Sequence, residues 1–162
     1  METKYISFDE FSLNWRFTEE EYNILPEEDL NKIRPLSPQK SKECWKFWIS
    51  KNVGHFMKLN VSGEGSTLLC DNCGWGEVEK EKNTINLLND SLKIDEDRNI
   101  TFFWNESNAV ETTWGIFRKY WTDFCYPSDN SNIIIIHECE IAVVYVEDKI
   151  TIVDREKYFS CS

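Results

Sequence analysis

The chain is 162 residues long, 41% hydrophobic and 14% aromatic, with 29 acids against 18 lysines and arginines and a net charge of −11. That length and apolar supply suit one packed domain over residues 1–162 and exclude a disordered chain. A negative field repels phosphate, which disfavours a nucleic-acid partner, and the longest aliphatic run, Ile133–Ile136, falls far short of the ~20 residues of a membrane helix.

The opening METKYISFDE carries neither the basic run nor the apolar stretch of a signal peptide, so a cytoplasmic setting is expected. Six free thiols follow from that setting, at Cys44, Cys70, Cys73, Cys125, Cys139 and Cys161. Residues 4–8 alternate apolar and polar and read as a first strand. Phe11, Leu13, Trp15 and Phe17 alternate again, as a second extended piece. Thr18 and Glu21 have capping-box spacing, which predicts a short helix over 19–24. Pro26 opens another first turn, with Glu27, Glu28 and Asp29 where a helix dipole favours anions; that helix carries Leu30 and Ile33 inward and stops before Pro35.

Ser37-Pro38 signals a capped start for a helix over 38–51, with Cys44, Trp45, Trp48 and Ile49 on one face. Residues 55–79 read as strand-like, broken by the Gly63-Glu64-Gly65 turn, and 80–99 are polar, with a short helix through Ile85, Leu87 and Leu88. Ile100–Trp104 is a compact strand. Val110, Trp114, Phe117, Trp121 and Phe124 recur at spacings of 4, 3, 4 and 3, which predicts a long helix over 109–124 opened by the cap pair Asn108 and Glu111. The runs 133–136, 141–146 and 150–153 then form a β-meander with turns at His137-Glu138 and Glu147-Asp148. Strands and helices without a βαβ rhythm predict an α+β fold with a largely antiparallel sheet.

Few patterns carry chemistry. Cys70-Asp-Asn-Cys73 can point two sulfurs at a metal, yet structural zinc needs four ligands, and only His137 and Cys139 are at hand to complete a set. A redox role is disfavoured, because Gly74-Trp75-Gly76 follows in place of a helix start. His55 and His137 have no nucleophile at a telling spacing, and neither a serine elbow nor a phosphate-cradling glycine loop is present. The expectation is a protein without catalytic residues and without a cofactor. Trp75, between two glycines, is the tryptophan most suited to an exposed interface role.

Charge is uneven along the chain. Residues 1–30 hold nine acids against Lys4 and Arg16, whereas residues 31–63 hold seven bases against Glu43 alone. The acidic runs Glu19–Glu21, Glu27–Asp29 and Asp95–Asp97 have the spacing of solvated faces and helix starts.

The segment Glu28–Ser37 with the Trp45/Trp48 helix, and the segment Ala109–Phe124 with the aliphatic strand after it, resemble the two halves of an uncharacterised proteobacterial family of unknown function, number 2947. Residues 55–99, with the Cys70/Cys73 turn, have no counterpart in that resemblance. It implies the fold boundaries and no catalytic residue. In general character the chain also resembles small acidic bacterial immunity proteins, which block a co-encoded toxin such as a nuclease. That likeness implies a basic protein partner, a cognate toxin whose phosphate-holding active site an acidic surface can cap. Its contacts would be Glu19, Glu20, Glu21, Glu27, Glu28, Asp29, Trp75, Asp95, Glu96 and Asp97. A zinc-stabilised binding module and a housekeeping domain without a toxin partner are the alternatives.

Overall fold

A computed structural model of the protein describes residues 3–160; Cys161, one of the expected thiols, lies outside them. The N-terminal segment departs from the sequence expectations. Tyr5 makes a lone bridge to Leu36 in place of a strand, and Phe8–Glu10 is a 3-10 turn. The second extended piece is coiled: Asn14, Arg16 and Phe17 each donate to the carbonyl three residues back, leading into α1 (Trp15–Thr18). Phe11 and Phe17 still point inward, so the alternation recorded burial without recording backbone. The expected helix over 19–24 is absent. Thr18 Oγ1 donates to the Asn14 carbonyl instead of capping a helix, and Glu19–Tyr22 turns tightly into β1 (Asn23–Ile24). Pro26 caps the short α2 (Glu27–Leu30), and β2 (Arg34–Pro35) follows.

In α3 (Pro38–Trp48) Ser37 Oγ accepts from the Lys40 amide at 3.2 Å, the N-cap bond that relieves an otherwise unpaired donor. Only β3 (Ser66–Cys70) emerges from the strand-like region, with a 3-10 turn at Phe56–Lys58. The polar stretch after it is α4 (Val78–Leu92), a full 15-residue helix that buries Thr84 and Leu88 and shows solvent its remaining faces.

Strands β4 (Asn99–Asn105) and β5 (Asn108–Thr113) pair as a hairpin. The expected helix over 109–124 is thus strand as far as Thr113, and α5 (Trp114–Phe124) begins where Thr113 Oγ1 accepts from the Ile116 amide. Val110 matched the helical period by coincidence, and Asn108 and Glu111 pair across strands instead of capping. The meander stands as β6 (Asn132–Ile136), β7 (Ile141–Val146) and β8 (Lys149–Asp154), before α6 (Arg155–Tyr158).

The fold is α+β. Seven strands form one antiparallel sheet in the order β2-β5-β4-β6-β7-β8-β3. Alternate residues of its central strands feed two cores. Ile100, Phe102, Trp104, Ile134 and Tyr145 join α5, Leu88 of α4, Phe11 and Phe17 on one face, whereas Phe103, Ile133, Ile135 and Val144 join Trp45 and Ile49 around α3 on the other. A sheet covered on both sides reads as continuous apolar runs, which is why β6 is four isoleucines in a row. No helix among the described residues is long and apolar enough to cross a membrane.

Candidate functional site

Trp75 is held in place from both sides of the sequence. Gly74 and Gly76 take φ of +73° and +87°, a region where side chains are strained, so the chain reverses on each side of the indole. The turn between β7 and β8 anchors this loop: Cys73 N–H donates to the Asp148 carbonyl at 2.9 Å and Gly74 N–H to Asp148 Oδ2 at 3.1 Å. Tyr145 Oη in turn donates to Asp148 Oδ1 at 2.9 Å. Below the loop, Thr84 Oγ1 donates to the Cys73 carbonyl. Trp75 itself donates its indole N–H to the Thr122 carbonyl of α5 at 2.8 Å, and the residue stays 38% exposed, the most of the seven tryptophans.

The Cys70–Cys73 turn is therefore a brace for Trp75. The Cys73 thiol is buried in the core, and burial, with Cys70 beside it, pushes its pKa well up, away from a reactive thiolate. His137 and Cys139 do not complete a metal set with it. His137 Nε2 lies 2.7 Å from Thr101 Oγ1 under the Trp48 ring, Cys139 Sγ accepts from the Ile141 amide, and among the described residues no three His, Cys, Asp or Glu side chains are grouped so that they could hold a metal ion.

Beside Trp75 opens a groove of about 620 Å³, lined by Tyr22, Tyr126 and the carboxylates Glu21, Glu81 and Asp123. Its aromatic wall is linked through Trp15, which packs behind it without lining the groove: Trp75 meets Tyr126 edge-on at 5.3 Å, Tyr126 lies 5.9 Å from Trp15, and Trp15 lies 4.5 Å from Tyr22. Glu81 is fixed by accepting the Gly76 amide at 2.6 Å, and Asp123 by accepting from Asn23 Nδ2 at 2.9 Å. Burial raises the Asp123 pKa and Glu81 adds to the rise, against the Asn23 hydrogen bond. Among the described residues, no lysine or arginine lines the groove.

The other acidic runs are placed differently. Glu28, Asp29, Glu96 and Asp97 border a second groove of about 700 Å³, but Lys32, Arg118 and Lys119 border it too. Glu96 pairs with Arg118 at 2.9 Å. Asp29 is buried and accepts from Lys119 Nζ at 3.0 Å and from the Tyr120 hydroxyl, which together hold its pKa below the usual carboxylate value. Asp29 is thus already matched by a cation and a hydroxyl of its own chain at the edge of that groove. Glu19, Glu20, Glu27 and Asp95 are exposed and line neither groove.

Of the ten residues singled out from the sequence, the fold brings Glu21 and Trp75 to one site. Tyr22, Glu81, Asp123 and Tyr126 are additional, and no local pattern marks them, because they reach the groove from three distant segments. A sequence-family model described as a protein of unknown function (DUF2947) matches residues 5–152. No curated protein and no solved structure matches the chain.

Proposed function

The chain belongs to the DUF2947 family of proteins of unknown function, and from that premise we propose that it is a binding protein, an inhibitor of immunity type that docks a basic protein through the Trp75 groove. The partner on this reading is a cognate nuclease-type toxin whose basic active site the acidic surface caps. What supports the reading most is the composition of the groove: three aromatic rings and three carboxylates with no basic residue among them. Exposed aromatics are favoured anchors of interfaces, and an uncompensated negative field speeds encounter with a positive surface. The net charge of −11 acts in the same direction at longer range.

The test is capture from host lysate with tagged wild-type protein and with Trp75→Ala. The expected result is a basic protein, toxic when expressed alone and neutralised by co-expression of the wild type, recovered by the wild type and lost with the variant. Recovery of no basic protein, or of one whose toxicity the wild type leaves unchanged, would overturn the reading.

A further inference from the structure

We propose that the Trp75 groove is a receptor for an arginine side chain, its guanidinium set against Tyr22, Trp75 and Tyr126 and paired with Glu21, Glu81 and Asp123. This rests on the reading of the groove as a docking site and specifies the residue it receives.

Charge complementarity carries the inference. Glu21, Glu81 and Asp123 line the groove with no cation beside them, and none of the three takes part in an ion pair among the described residues. An apolar occupant would desolvate those carboxylates without supplying a counter-charge, which is costly, whereas a cation supplies one. The second groove, with its acids matched by Lys32, Arg118 and Lys119, makes no such demand.

The rings favour guanidinium over ammonium. Arginine is planar, less strongly hydrated, and stacks on aromatic faces while its fork of donors meets carboxylates. This wall already holds one such group: the Arg16 guanidinium carbon lies 4.4 Å from the Tyr126 ring centre and 5.0 Å from that of Trp15. Arg16 is buried and does not line the groove. Asp129 neutralises it through contacts of 2.6 and 3.0 Å, so its charge does not oppose a second cation on the exposed side.

The experiment uses the full chain labelled with 15N and three capped peptides, Gly-Arg-Gly, Gly-Lys-Gly and Gly-citrulline-Gly, the last a neutral copy of the first. The readout is the Trp75 indole N–H resonance. The arginine peptide is expected to move it in a saturable way, at least about fivefold more tightly than the citrulline peptide and more tightly than lysine. The double variant Glu21→Gln/Asp123→Asn, whose remaining resonances report an intact fold, is expected to erase the difference between arginine and citrulline. Equal binding of arginine and citrulline, tighter binding of lysine, or no response at Trp75 would overturn the proposal. An arginine response in a protein that captures no toxin would leave this assignment standing and sink the inhibitor reading. A toxin captured and neutralised by the wild type and lost with Trp75→Ala, with no arginine response, would do the reverse.

Discussion

Burial pushes the Asp123 and Glu111 carboxyls the same way, yet their net shifts run in opposite directions. Burial raises the Asp123 pKa above its ordinary 3.8, and the Asn23 hydrogen bond does not reverse it. The folded state therefore holds that proton to higher pH than the unfolded chain, and ionised Asp123 reduces stability at neutral pH. Asp123→Asn, which retains an oxygen for Asn23, is expected to raise Tm at pH 7. The gain should shrink as pH falls toward 3.8, where the wild-type group is itself protonated. At Glu111 burial also pushes upward, but hydrogen bonds from Tyr5 and Lys4 outweigh it and hold the carboxyl below its ordinary 4.5. The sign inverts: Glu111 contributes stability above the unfolded value and loses it as pH falls through the lower folded value. Glu111→Gln should lower Tm at pH 7 and leave it unchanged in strong acid. Thermal denaturation of both variants across pH measures the two slopes.

Elements were legible where one local signal decided them. Ser37-Pro38 marked the start of α3, and Ser37→Ala is expected to cost about 1 kcal/mol in urea denaturation, the usual value of an N-cap. The β-branched runs of β6, β7 and β8 were equally plain. Elements were illegible where tertiary contact decided them. Most of α4 faces water, so its 15 residues show only a narrow apolar stripe, Ile85, Leu88 and Leu92, and of these Leu88 alone is fully buried. In β5, Ala109 and Val110 enter opposite cores, and the even spacing from Val110 to Trp114 fits a strand as well as a helix. The Trp75 loop lies between these cases. Its flanking glycines foretold an exposed ring, whereas its anchor on Asp148 depends on a turn at the other end of the chain. At Gly74 an added Cβ would come within 2.2 Å of Lys80 Cβ at a left-handed φ. Gly74→Ala should therefore destabilise by more than the roughly 1–2 kcal/mol of left-handed backbone alone, and urea denaturation reads the difference from Ser37→Ala.

At the scale of the whole molecule, acidity alone does not single out a site. The runs Glu27–Asp29 and Asp95–Asp97 were as conspicuous in the sequence as Glu19–Glu21, yet folding sets internal cations beside Asp29 and Glu96 and none in the groove with Glu21. Which acids stay uncompensated is a property of the closed fold. If the groove docks a basic protein, the association rate should fall steeply between low and physiological salt while dissociation changes little, as stopped-flow mixing with the captured partner would show. A partner held by the rings alone would bind at a rate nearly independent of salt.

The tie from Asp148 to the Trp75 loop, together with the pairing of β3 on β8, also sets an order of events during synthesis. The loop is translated early, but its anchor and the strand beside it come last. Contacts so far apart in sequence close slowly, and an emerging chain must leave the loop without its Asp148 anchor until the final hairpin appears. A nascent chain halted just before residue 148 contains every side chain that lines the groove, and lacks the turn that ties down the loop carrying Trp75.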